Sequence, residues 1–302
     1  MQLKLDEKKI RKGRPIGLPY IGSKKKISKK LIEIIKQNFG TDKTVYDLFG
    51  GGGAITLECK LQGIDAVYND IDPIPGQMIQ KILSEDREYL KTLICSREEF
   101  FQIRDKEDKS IDDHLKLLVN SFGNNKKGYL YSKKHSDIKY KLAKEIIEKH
   151  DCFYGYKQTE TFKKAVQEKK EITQLQQLQQ MQQLEQLQRL QQLENIQDIE
   201  ANGKIKFYNK DYKEFSEIEN SILYLDPPYK KTKKAYKHNN LDYEEFYSRC
   251  ESMSKDNIVL ISGYHMPDDF EVVYEFRKAN STMQSGQHES KYEKLFTVKD
   301  NH

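Results

Sequence analysis

Apolar positions between Lys25 and Phe39 recur at helical spacing: Ile27, Leu31, Ile34 and Ile35 share one face of an amphipathic helix, and Gly40 stops it. The pattern then changes. Thr44 to Phe49, TVYDLF, is a short apolar run of strand length, four glycines follow at 50 to 53, and Ala54 to Lys60 returns to helix. Ala66 to Tyr68 predicts a second strand, closing on Asn69-Asp70. Strand, glycine turn, helix and strand in that order predict the start of a parallel α/β sheet. Further along, Lys204 to Asn209, Ser221 to Leu225 and Ile258 to Ser262 read as buried strands. Tyr243 to Ser254 reads as a helix, and Glu271 to Phe276 and Tyr292 to Val298 as the last strands.

Between these halves, residues 77 to 165 read as mainly helical with polar loops. Gly123 to Lys134, GNNKKGYLYSKK, interrupts them with a turn or small hairpin. Residues 172 to 199 place an apolar residue at every third position from Leu175 to Ile199. A period of three moves the apolar stripe by about 60° per repeat around an α-helix, so this is not a coiled-coil seam. A bent helix, two short helices or an irregular packed repeat all fit the pattern, as a structural insertion expected to protrude from the core. The chain thus divides into 1–75 (a basic arm, expected to be mobile, and the first part of the sheet domain), a helical region 76–171, the Leu/Gln insertion 172–203, and a second sheet part 204–302.

Composition permits a real core: 36% of residues are hydrophobic, with 19 Tyr and 13 Phe, and a charged fraction of 33% does not point to disorder. No apolar run of membrane length and no apolar leader segment stand out, so a membrane role is not expected and the setting reads as cytoplasmic. The four Cys and seven His follow no zinc spacing, so no metal is expected. The formal charge is +5, and residues 1 to 36 concentrate it, with twelve Lys or Arg against three acids. Such a patch favours a polyanion.

Three clusters carry chemistry. Asp47-Leu48-Phe49-Gly50-Gly51-Gly52-Gly53 sets glycines directly after a strand, which permits a tight turn and close backbone approach to a ligand. It has neither the dinucleotide spacing nor a Gly-Lys-Ser/Thr phosphate loop, so an adenosyl ligand without phosphate fits better. Asp70, at the end of the next strand, can accept from both ribose hydroxyls of such a ligand, with Asp65 and Asp72 as neighbouring candidates. Asp226-Pro227-Pro228-Tyr229 follows the apolar run SILYL. An exocyclic amine on adenine is a poor nucleophile and needs acceptors for both N–H groups as it becomes tetrahedral. Asp226 offers a carboxylate and Pro227 a carbonyl, the prolines hold both rigid, and Tyr229 can stack on an extruded base.

The chain resembles the Dam-like (D12 class) family of adenine-N6-specific DNA methyltransferases, of phage and bacterial type. Pro19-Tyr20-Ile21-Gly22-Ser23-Lys24 resembles the family's N-terminal cofactor element, Asp47 to Gly53 its FxGxG motif, Asn69-Asp70-Ile71 its acidic motif and Asp226 to Tyr229 its catalytic motif. The resemblance covers roughly 15 to 75 and 204 to 300. It implies a class I S-adenosylmethionine-dependent methyltransferase fold, Rossmann-like and mostly parallel, with a helical target-recognition region inserted. It implies S-adenosyl-L-methionine as cofactor, lined by Tyr20, Gly22, Lys24, Asp47, Phe49, Gly50, Gly51, Gly52 and Asp70, with Asp211 near the adenine end. It implies Asp226, Pro227, Pro228 and Tyr229 as the catalytic set.

The expected partner is double-stranded DNA and the simplest state a monomer; a restriction endonuclease counterpart is left open. Members that read GATC carry an Arg in a recognition hairpin. The nearest run here, Gly123 to Tyr131, lacks it, which argues against GATC and leaves Asn124, Asn125, Lys126, Lys127 and Tyr129 as candidate DNA contacts. The run Glu289 to Phe296 resembles a polar stretch of phage members to which no role attaches. Competing readings are an amino-methyltransferase acting on cytosine N4 or RNA adenine, an inactive nucleic-acid-binding homologue, and a structural protein assembled through the Leu/Gln repeat.

Overall fold

A computed structural model describes residues 2–20, 22–170, 183–199, 203–228, 241–276 and 292–299. Seven strands form one sheet: β1 (Val45–Asp47), β2 (Ala66–Asn69), β3 (Ile205–Tyr208), β4 (Ile222–Leu225), β5 (Ile258–Gly263), β6 (Phe270–Phe276) and β7 (Glu293–Val298). Their order is β3-β2-β1-β4-β5-β7-β6. Neighbours pair in parallel as far as β5, and β7 runs antiparallel to both β5 and β6. The chain clusters into two compact units. The sheet unit holds 1–15, 24–76 and 200–302, and the helical unit 16–23 and 77–199.

Strand alternation builds a core on each sheet face. Val45, Ala66, Ile222, Tyr224 and Leu260 pack with helices α1 (Ser28–Phe39) and α2 (Ala54–Leu61). Val67, Leu223, Leu225, Val259 and Ile261 point the other way and pack with Tyr212, Phe215 and the residues Phe246, Cys250 and Met253 of a late helix, Tyr243–Met253. The expected strands and helices all appear, within a few residues of their sequence bounds.

The N-terminal arm corrects one expectation. It is fastened to the sheet unit rather than loose. The Leu3 N–H donates to the Val273 carbonyl at 3.0 Å, and Asn38 and Gln37, near the end of α1, exchange side-chain hydrogen bonds with the backbone of Lys4 and Asp6. Arg11 makes a two-pronged ion pair with Glu58, whose side chain is wholly buried. Arg11→Ala should therefore strand a buried carboxylate and destabilise the fold by about 3–5 kcal/mol. Chemical denaturation reads this directly, and an unchanged midpoint would show that the arm contributes nothing.

The helical unit contains α4 (Arg87–Lys91), α5 (Arg97–Asp105), α6 (Ile111–Asn120), α7 (Ser136–His150), α8 (Glu160–Lys170) and α9 (Glu185–Gln197). The long α3 (Pro73–Ser84) crosses from one unit to the other between Gly76 and Gln77. The Leu/Gln stretch also departs from expectation. Residues 171–182 lie outside the described residues, but its remainder is α9, packed on α4, α6 and α7. Leu184, Leu187, Leu190, Leu193 and Ile196 are all fully buried. A stripe that winds round a helix can be buried only if neighbours surround it, so the period of three marks a central helix rather than a protruding insertion. Gln186, fully buried among them, donates to the Cys95 carbonyl at 3.1 Å and to the Tyr129 hydroxyl at 3.2 Å. Leu190→Ala should cost about 2–5 kcal/mol in a denaturation experiment; a protruding helix would lose well under 1 kcal/mol.

Candidate active site

The sheet order reverses at β1, which has β2 on one side and β4 on the other. Connections leaving β1 and β4 therefore diverge, and in open α/β sheets the carboxyl ends of the strands at such a point are where ligands bind. The Gly turn and the Asp-Pro-Pro turn leave these two strand ends, and Asp70 follows β2 beside them.

The Gly turn is held from below and from the side. Gly51 (φ 46°) and Gly53 (φ 70°) adopt left-handed backbone, which favours glycine. Gly50 donates to the Asn69 carbonyl at 2.7 Å, and Gly51 donates to the Asp70 carboxylate at 2.8 Å. The fully buried Tyr68 ring lies under Gly50, and its hydroxyl donates to the Gly51 carbonyl at 2.8 Å. Asp47 is buried beneath the turn and accepts from the backbone N–H and hydroxyl of Thr56 in α2. Phe49 stacks against Tyr212 with ring centres 5.4 Å apart and meets Phe246 edge-on at 6.1 Å.

The three acids considered for the second strand separate cleanly. Asp65 sits at the start of β2, at the opposite edge of the sheet, and accepts from the Lys204 N–H. Asp72 caps the first turn of α3 through the Ile74 N–H. Asp70 alone turns to the glycines, and its other oxygen accepts from the Asp72 N–H at 2.9 Å. Two asparagines that sequence reasoning gave no role join the strand ends. Asn69 bonds the Leu48 carbonyl and both backbone groups of Lys210, and Asn209 donates to the Asp70 and Ile71 carbonyls. Asp211 caps a short 3-10 turn over Tyr212–Phe215, accepting from the Lys213 N–H.

Asp226 ends β4 with its side chain only 16% exposed. Lys24 places Nζ 2.8 Å from Asp226 Oδ1 and 2.9 Å from Glu293 Oε1. Burial pushes the Asp226 carboxyl up to about 6; the Lys24 charge opposes this and Glu293 adds to it. Pro227 is buried, and the Tyr243 phenol donates to the Pro228 carbonyl, pinning the turn. Tyr229 lies outside the described residues. Tyr20 and Gly22 belong to the helical unit and are placed with it, while Lys24 belongs to the sheet unit.

Electrostatics favour a cationic guest. Burial lifts Asp47 to about 7, and the charges of Asp226 and Asp70 raise it further against the Thr56 hydrogen bonds. Carboxylates that repel one another around a glycine turn gain from a positive ligand with no phosphate. S-Adenosylmethionine has that charge, and the half-buried Phe49, backed by the buried rings of Tyr212 and Phe246, suits its apolar parts. Among the described residues no group of three or more His, Cys, Asp or Glu gathers as a metal site, and no helix is long and apolar enough to cross a membrane.

Residues 20–295 match the model of the D12 class N6 adenine-specific DNA methyltransferases. The chain belongs to that family. It is a methyltransferase that uses S-adenosylmethionine and methylates N6 of adenine in DNA site-specifically, with the class I methyltransferase fold. No curated protein matches the chain. Two structures of the rRNA methyltransferase AviRa from Streptomyces viridochromogenes are similar at 8% identity. They cover 90% and 96% of this chain and 84% and 88% of theirs, with TM-scores of 0.37 and 0.39.

If the methyltransferase needs Asp226 ionised, its transfer rate should fall as pH drops through about 6, because protonation removes the acceptor. Single-turnover rates across pH 5 to 8 test this; a flat profile down to about 4.5, near the ordinary carboxylate range, contradicts it.

Proposed function

We propose that Asp226 and the Pro227 carbonyl hold the amino group of an adenine extruded from duplex DNA while the methyl group is transferred directly to it. The observation that carries this is the placement of the Asp-Pro-Pro turn beside the Gly50–Gly53 turn at the point where the sheet order reverses. S-Adenosylmethionine, when bound, supplies the methyl group. Gly50, Gly51, Gly52, Phe49 and Asp70 form its bed, with the Asp70 carboxylate accepting from ribose hydroxyls, Asp47 fixing the turn and Asp211 ordering the segment that carries Tyr212. Lys24, beside Asp226 in the sheet unit, belongs to the cofactor element that the family resemblance implies.

Asp226 accepts one N6–H and the Pro227 carbonyl the other, which favours tetrahedral nitrogen and leaves its lone pair aimed outward. The N–C bond would form as the methyl's bond to the sulfonium sulfur breaks and leaves a neutral thioether; the nitrogen then carries the positive charge, and one of its protons is released. A carboxylate with its pKa lifted to about 6 is a better first acceptor for that proton than an ordinary one. Tyr229 stacks on the extruded base.

For DNA readout we infer the surface of the 122–128 loop. Asn125, Lys127 and Phe122 are exposed there, Phe122 by 68%. Tyr129, a candidate contact by sequence, is instead a core residue: it is 6% exposed and its hydroxyl donates to the Cys95 carbonyl at 2.8 Å. The basic run 24–30 is also less available than its charge implies. Lys24 is paired, burial lowers Lys25 to about 8, Lys29 donates to the Gly13 carbonyl, and Lys30 pairs with Glu7.

The test is incubation of unmodified genomic DNA with labelled S-adenosylmethionine, followed by single-molecule sequencing. N6-methyladenine confined to one short motif supports the reading. Label in cytosine, or in RNA alone, overturns it.

A further inference from the structure

Glu293 opens β7, 67 positions after Asp226, outside every motif that frames the cofactor and the target base. Its Oε1 nevertheless lies 2.9 Å from Lys24 Nζ, whose other carboxylate contact is Asp226 Oδ1 at 2.8 Å. The three side chains are 18%, 11% and 16% exposed, so solvent screens them weakly. One ammonium is therefore shared between two shielded carboxylates, contributed by the start of α1's leader, the end of β4 and the start of β7.

That sharing bears on the reaction. An Asp226 oxygen committed to an ammonium is a weaker acceptor for an amine N–H, because the lysine proton already draws on its charge. Lys24 paired with Asp226 alone would compete with the incoming adenine. Lys24 has a second carboxylate already in contact, so it can leave Asp226 without crossing to water and without leaving a positive charge unpaired. We propose that Glu293 is a positioning residue for methyl transfer: it is the second seat of the Lys24 ammonium and holds that ammonium while Asp226 engages the target amine. This rests on the assignment of Asp226 as the amine acceptor. No bond to Lys24 or Glu293 is made or broken; only the hydrogen-bond partner of Nζ changes.

Among the described residues, the groups that face Asp226 are Lys24 and Glu293, with Asp47 and the Tyr224 phenol within electrostatic reach on the neighbouring strand and its own. Changing Glu293 leaves the other three in place. The experiment compares Glu293→Gln, Glu293→Asp and Asp226→Asn with the wild-type full chain, using S-adenosylmethionine and unmethylated duplex DNA. It reads the single-turnover rate constant, the KM for the cofactor, the pH profile and the melting temperature.

Glu293→Gln should lower the single-turnover rate constant at neutral pH by about tenfold or more, with cofactor KM changed by less than about twofold. Its acid limb should move to lower pH, because Asp226 then keeps the ammonium and loses a like charge nearby. Glu293→Asp, still anionic, should recover part of the rate. An unchanged rate and limb in Glu293→Gln, with Asp226→Asn inactive, overturns the second seat and spares the acceptor. Loss of rate in step with cofactor binding or melting temperature makes Glu293 merely structural and overturns it too. Full activity in Asp226→Asn removes the acceptor assignment itself, whatever Glu293 does.

Discussion

Asp226→Ala is expected to lower the methyl-transfer rate constant by roughly a thousandfold while cofactor affinity stays within a few-fold. The size follows from what the side chain is asked to do. A preorganised polar group aimed at charge that develops in the transition state contributes about 10²–10³ in rate, and here the group is also anionic and only 16% exposed. A thousandfold corresponds to about 4 kcal/mol. The proposed cofactor bed is built mainly from other groups: the Gly50–Gly53 turn, Asp70 and Phe49, which the buried Tyr212 and Phe246 rings support from behind. The fold should survive, because Lys24 keeps Glu293 as a partner and burial already works against the Asp226 charge. Asp226→Asn should be nearly as slow, since an amide presents one acceptor oxygen and no charge. Equal single-turnover rates in mutant and wild type, with cofactor binding intact by calorimetry, would remove Asp226 from the chemistry.

The centre of the sheet was legible in the sequence because three of its seven strands are short apolar runs ended by a chemically distinctive turn. TVYDLF runs into glycines, AVY into Asn69-Asp70, and SILYL into Asp-Pro-Pro, so element and site were read from the same residues. What could not be read is what depends on long-range pairing. Asn209 looks like an ordinary loop residue, and Asn69 like a mere neighbour of Asp70 in the acidic motif, until β3 comes alongside β2. Glu293 is one acid in a polar stretch until β7 inserts next to β5. The basic arm reads as mobile in sequence because charge dominates it. Its order comes from Leu3, from side-chain to backbone bonds with Gln37 and Asn38, and from a single buried acid at Glu58. The Leu/Gln repeat shows a different failure. Its period of three does rotate the apolar stripe about the helix, but a winding stripe means burial on nearly all sides, not exposure.

These cases share a physical cause. Local pattern reports which face of an element is apolar, whereas a site at a sheet edge is assembled from strand ends that neighbour one another only after the strands are ordered. The catalytic turn and the glycine turn are about 175 residues apart in the chain and are brought together by the β1–β4 pairing alone. Short motifs therefore identified the chemistry, while the residues that hold the motifs in register had no signature of their own.

Gly50→Ala is expected to abolish cofactor binding and to destabilise the chain by about 2–4 kcal/mol, beyond the usual cost of an added methyl in a core. A Cβ at Gly50 would lie 2.3 Å from Cε2 and 2.6 Å from Cδ2 of Tyr68. The ring has little room to yield. It is 1% exposed, its far edge faces Gly76 so closely that a Cβ there would lie 2.9 Å from Cε1, and its hydroxyl is bonded to the Gly51 carbonyl. The turn must move instead, which breaks the 2.7 Å bond from Gly50 to Asn69 and the 2.8 Å bond from Gly51 to Asp70. Both bonds set the bed on which the cofactor would lie, so affinity and stability should fall together. Shrinking the ring should separate the two causes: in a Tyr68→Leu background, Gly50→Ala should cost much less stability than in the wild type, a coupling of about 1 kcal/mol or more in a double-mutant cycle. Additive effects would show that the Tyr68 ring is not what excludes a side chain at position 50.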